Sequence, residues 1–134
     1  MTAGAAAAPD VELLALGKQF DRLERQYHEV VERDRPRIER ELQLVEAQER
    51  PDKVDEEFGP QSRPDALDIL DMMDPPTHRI VALPATTLAG LAVKARVARF
   101  SWEHFWDEPE ENLDWDELMA RELIDAVLDF CRSD

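Results

Sequence analysis

Between Asp10 and Val30 the apolar residues fall at Leu13, Leu16, Phe20, Leu23, Tyr27 and Val30, in alternating steps of three and four. That spacing predicts a long helix with one narrow apolar seam of the coiled-coil kind. Past Val30 the same frame would place Asp34, Arg37 and Glu41 in the seam, whereas Val31, Ile38, Leu42 and Val45 continue it one position later. A slip of register is therefore expected between residues 27 and 36. Pro36 falls in that window. Proline removes a helix hydrogen bond and clashes with the preceding turn, so a kink or a break is expected there, with Asp34 available to cap a second helix. The arm ends by Pro51, and Pro51, Gly59, Pro60 and Pro64 punctuate a polar loop.

Ser62 then reads as the cap of a short helix whose apolar face is Ala66, Leu67, Ile69, Leu70 and Met73. Asp74, Pro75 and Pro76 repeat a start signal for one or two turns from His78 to Leu83, which Pro84 stops. Thr86 or Thr87 caps the next helix, predicted over 86–104. Leu88, Ala89, Leu91, Ala92 and Val93 make it apolar on nearly every side, so it should lie buried at the centre. Gly90 inside it costs about 1 kcal/mol relative to Ala, which implies a neighbouring helix passing close. An acidic turn from Asp107 to Leu113 leads to a last helix over 114–132, opened by Asp114 and Glu117 at capping-box spacing. Its expected buried side is Trp115, Leu118, Met119, Leu123, Val127, Leu128 and Cys131, widened by Ile124 and Phe130. No period-two run is long enough for a strand. The fold class is therefore all-α: a long N-terminal coiled-coil-like helix packed with a short-helix linker and two C-terminal helices. Residues 10–134 are read as a single helical domain, with the arm at 10–50 and a C-terminal part at 62–134, behind a disordered tail at 1–9.

Charge sharpens this outline. The chain has 31 acidic residues and a formal net charge of -15, yet residues 75–102 hold no Asp or Glu and four cations, Arg79, Lys94, Arg96 and Arg99. Residues 103–134 hold 12 acidic and 2 basic side chains. The acid-free segment is the expected axle of the bundle, with carboxylate-rich pieces outside it. A negative field of this size repels phosphate backbones, which speaks against direct nucleic-acid binding. No run of about 18 apolar residues is present to cross a membrane, and a lone Cys131 makes no internal disulfide. The first nine residues lack the layout of a signal peptide, so a cytoplasmic location is the expectation.

Candidate chemistry is sparse. His28, His78, His104 and Cys131 share no metal-ligand spacing, and the acidic turn at Asp107, Glu108, Glu110, Glu111, Asp114 and Asp116 lacks the glycine and alternating ligands of a calcium loop. No metal site and no cofactor is expected. Glu122 and Asp125, three apart on one helix face, resemble half of the magnesium site of all-α nucleotide pyrophosphohydrolases of the MazG type. The companion pair is missing from an adjacent helix: Glu108 and Glu111 flank Pro109 in a loop, and Glu29 and Glu32 lie far upstream. Thr87 to Arg99 has the outline of the first part of a helix-turn-helix, without a turn residue between Leu91 and Phe100. Pairing of Arg96 and Arg99 with the acidic last helix is the expected use of those cations.

The segment Leu83-Pro-Ala-Thr-Thr-Leu-Ala-Gly-Leu-Ala-Val-Lys-Ala-Arg96, followed by Leu113-Asp-Trp-Asp116 and a short terminal helix, resembles a group of small uncharacterised helical proteins of alphaproteobacterial genomes and prophage-like regions. The resemblance implies a bacterial or phage setting and brings no catalytic residue with it. The functional expectation is a non-enzymatic interaction or assembly module. It would meet a protein partner, or a second copy through the N-terminal helix, with Phe20, Tyr27, Phe100, Trp102, Phe105 and Trp106 as candidate contacts unless they fill the core. The alternatives are an acidic decoy that mimics nucleic acid and a MazG-like metal-dependent hydrolase.

Overall fold

A computed structural model describes residues 10–133, apart from the side chains of His104, Phe105 and Ser133. The tail predicted at 1–9 lies outside the described residues. Every regular element among the described residues is helical. In chain order they are α1 (Val11–Glu46), α2 (Lys53–Phe58), α3 (Ala66–Ala82), α4 (Leu88–Ser101), the single turn α5 (His104–Asp107), a 3-10 turn (Glu110–Asn112) and α6 (Trp115–Ser133). The described residues gather into two compact units, one made of 10–20 with 76–133 and the other of 21–75.

In the unit at 21–75, the expected break at Pro36 does not occur: α1 is one helix with Pro36 inside it. Pro36 and Glu32, whose carbonyl loses its partner to the proline, are both exposed, so water can take up the freed group. The expected register slip does not occur either. Val30 and Leu44 are buried while Ile38, Leu42 and Val45 are exposed, so the original seam runs on through half-buried Asp34 and Arg37. Those polar seam residues have partners. Asp34 accepts from Arg33 at 2.9 Å and from Gln61 at 3.1 Å, and Arg37 donates to the Gly59 carbonyl at 2.7 Å and pairs with Asp55. Arg40 grips Glu57 through two bonds of 2.8 and 2.9 Å, and Arg33 reaches the carbonyls of Ser62 and Pro64 at 3.3 and 3.2 Å. Arginines at 33, 37 and 40, spaced by four and three, thus lie on one helix face and hold the segment from 55 to 64.

That segment is more ordered than a polar loop. It begins within α2, whose Val54 is buried. The cap of α3 is Asp65, in place of Ser62: the Asp68 amide donates to Asp65 Oδ1 and the Asp65 amide to Asp68 Oδ2, each at 2.9 Å. The restart expected at Asp74-Pro75-Pro76 is absent, because α3 continues through both prolines to Ala82. Ile69 and Met73 of α3 complete the buried residues of this unit.

In the other unit, α4 is the central helix. Gly90, Ala92, Val93, Ala95 and Val97 are buried on it, and Leu13, Phe20 and Ile80 are buried around it. The start of α1 crosses α4 at closest range through two glycines. A Cβ at Gly17 would lie 2.7 Å from Val93 Cγ2, and one at Gly90 would lie 2.2 Å from Asp10 Oδ2 and 3.0 Å from Leu13 Cδ2. Phe20 meets Phe100 edge to face, with ring centroids 5.6 Å apart. The opposite face of α4 packs on α6. The acid-free segment is thus the axle of this unit only in part: Leu88, Ala89 and Leu91, expected inside, are exposed, as are Val81 and Trp102.

Candidate functional site

The ends of α4 and the cations around it are committed to the fold. Asp10 accepts from the amides of Thr86 and Thr87 at 3.0 and 2.8 Å and from both threonine hydroxyls, while Thr87 Oγ1 accepts from the Gly90 amide at 3.0 Å. Thr87 is therefore the N-cap of α4, and the Asp10 carboxylate adds a negative charge at the positive end of its dipole. The Thr87 hydroxyl above all, with Thr86 and the two amides, holds the Asp10 carboxyl below the usual carboxylate range against an opposing push from desolvation. Lys94 donates to the carbonyls of Ile80 and Val81 at 2.7 and 3.1 Å, near the end of α3. Arg79 binds Glu12 through two bonds of 2.8 and 3.0 Å and keeps that carboxyl low as well.

Arg99 is used differently from the expectation of a direct pair with α6. Its guanidinium lies over the Trp106 ring, 5.1 Å from the centroid, and the Trp106 indole donates to Asp125 Oδ1 of α6 at 2.8 Å. This contact draws Trp106 inward and occupies one carboxylate of the Glu122 and Asp125 pair. Asp114, Asp116 and Glu117 have carboxylate oxygens within 4.8 Å of one another, but two of these carboxylates accept bonds at the start of α6: the Asp114 amide donates to Glu117 at 3.2 Å and the Glu117 amide to Asp116 at 3.0 Å. Only half of the expected capping box forms, since Asp116 takes the bond predicted for Asp114.

The expected contact residues separate. Phe20 is buried and belongs to the core of its unit, Phe100 is half-buried against it, and Trp106 is half-buried under Arg99. Tyr27 is half-buried beside His28, with centroids 5.6 Å apart. Trp102 is exposed, and the side chain of Phe105 lies outside the described residues.

What stands open to solvent is one side of α6. Trp115 is 75% exposed, Met119 58%, Leu123 66% and Phe130 60%, four residues placed on the buried side by periodicity alone. Helical steps of 100° put them, with exposed Ala126, inside an arc of about 80°. The side of α6 toward α4 bears half-buried Ile124, Val127, Leu128 and Cys131, with the Cys131 thiol 3.4 Å from the Leu88 carbonyl. Along the edge of the open stripe, Leu88 and Leu91 of α4 and Ala126, Val127, Phe130 and Cys131 of α6 line a shallow apolar cavity of about 190 Å³. The exposed leucines of α4 and the exposed stripe of α6 are one continuous apolar surface. Its signal in the sequence was the width of the apolar set on the last helix, which spreads over more than half of the wheel, more than one neighbour covers.

No family model, curated protein or solved structure matches this chain. No helix among the described residues is long and apolar enough to cross a membrane.

Proposed function

We propose that this protein is a non-enzymatic interaction module whose contact face is the apolar surface of α6 and the first turns of α4. A single observation supports the reading: Trp115, Met119, Leu123 and Phe130 stand in a row on one helix face, all more than half exposed. Contiguous apolar surface with aromatic and Met side chains is costly to leave in water and is characteristic of protein contacts. The polar chemistry nearby is occupied with holding helices in place, as the roles of Asp10, Lys94, Arg99 and Asp125 illustrate.

Site-specific photo-crosslinking in the source cells tests it. A photoreactive residue at 119 or 123 is expected to form a discrete covalent adduct, whereas one at exposed Arg22 forms none. Absence of any adduct from 115, 119 and 123 would overturn the proposal. A second surface favours self-association through the N-terminal helix: Ile38, Leu42 and Val45 are exposed at four- and three-residue spacing on α1. A dimer that Leu42→Glu dissociates in light scattering would support it.

A further inference from the structure

We propose that the face formed by α6 and the start of α4 receives a basic amphipathic helix, a partner segment with an apolar ridge flanked by Lys or Arg. The inference rests on reading this face as a protein contact and adds the chemistry of the other half of that contact.

The shape suits a helix. The row Trp115, Met119, Leu123, Ala126 and Phe130 follows the axis of α6, and the cavity beside it gains a second wall from Leu88 and Leu91. A ridge of large apolar side chains at steps of three and four can lie between these walls, the geometry by which amphipathic helices dock into grooves.

The charge selects the partner. Glu122 and Asp129, two turns apart, border the stripe on the side away from α4, with Asp125 beyond them and Asp116 near the first turn. Helix α6 holds five acidic residues and two cations, and both cations are already engaged. Arg121 donates to the Glu108 carbonyl at 3.3 Å and lies 3.9 Å from Glu110, while Arg132 lies 3.5 Å from Asp129. Arg132 offsets Asp129 and the Trp106 indole occupies Asp125, so the negative excess beside the apolar strip rests on exposed Glu122 and, near the first turn, Asp116. A second copy seated on the same face would bring two such borders together, which like-charge repulsion opposes, whereas cationic flanks match both the strip and its rim.

Calorimetric titration of the full chain with two synthetic helical peptides of about 18 residues tests this. Both have the same leucine ridge, and their flanks are Lys in one and Glu in the other. The Lys-flanked peptide is expected to bind at least about tenfold more tightly, with the advantage shrinking as salt rises from about 0.05 M to about 0.5 M. Leu123→Glu should abolish binding of both while leaving the helical circular dichroism unchanged. The double variant Glu122→Gln, Asp129→Asn should reduce the preference for Lys flanks without weakening the Glu-flanked peptide. Equal affinity for the two peptides would overturn the basic partner and leave the contact reading standing. A stable dimer dissociated by Leu123→Glu would also overturn it, by assigning the face to a second copy. If neither peptide binds, the inference falls; if positions 115, 119 and 123 also form no adduct in cells, the contact reading falls with it.

Discussion

Gly90 is where one added carbon would have most to displace, because its Cβ would sit 2.2 Å from Asp10 Oδ2 and 3.0 Å from Leu13. Alanine is favoured over glycine in a helix by about 1 kcal/mol, so an unconstrained Gly90→Ala would stabilise. Here the clash with a carboxylate held by four donors reverses the sign, and a net loss of about 1–3 kcal/mol is expected in urea unfolding. In an Asp10→Ala background the same substitution should cost less, which a double-mutant cycle would read directly. Asp10 also sets part of the acid response. Its folded-state pKa is depressed, so the stability it contributes is present above the ordinary carboxylate range and is lost as pH falls through the folded value. Glu12 and Asp34, lowered chiefly by bonds from Arg79 and Arg33, act in the same direction. Stability should thus decline from about pH 5 down to about pH 2, and Asp10→Asn should flatten that decline in acid titrations followed by circular dichroism. The close approach at Gly90 was legible from a glycine inside an apolar helix. Its neighbour was not, because Asp10 and Thr87 are 77 positions apart and local spacing has no information on such a meeting.

At the level of elements, prolines mislead most. Both α1 and α3 run through proline, since the carbonyls that lose their partners, those of Glu32 and Asp71 for example, belong to exposed residues that water can reach. Pro36→Ala should therefore stabilise the protein, by about 1 kcal/mol or more, seen as a higher Tm, because it restores a helix hydrogen bond without removing a structural stop. A drop in Tm would instead mean that the proline ring itself is needed at this position. The seam on α1 shows how polar residues disguise register. Arg37 and Asp34 sit at inward positions, and their partners, Gly59, Asp55 and Gln61, come from a segment whose prolines and glycine predict a polar loop. Arg37→Ala should release that segment, at a cost of about 1–2 kcal/mol and with faster amide exchange between 55 and 61.

Across the whole chain, a net charge of -15 makes like-charge repulsion a general load on the folded state. The exposed ion pairs are each worth only about 0–1 kcal/mol, so screening should relieve more repulsion than attraction. Raising salt from about 0.05 M to about 0.5 M should increase Tm, and a fall would show that the surface pairs dominate. The open stripe makes the opposite kind of prediction. Leu123→Glu on an exposed face should leave unfolding free energy within about 0.5 kcal/mol of the parent, although leucines at core positions such as Leu13 cost several when replaced. Sequence alone determined the helical class, the capped start of α4, the central place of that helix, though not of Leu88 and Leu91 on it, and the tight passage at Gly90. Those follow from local rules of periodicity, capping and composition. Only the tertiary structure decided which prolines interrupt a helix, where Asp34 and Arg37 find partners, and which apolar side of α6 is covered. A helix has one periodicity and several neighbours, and the number of neighbours is a property of the assembled fold.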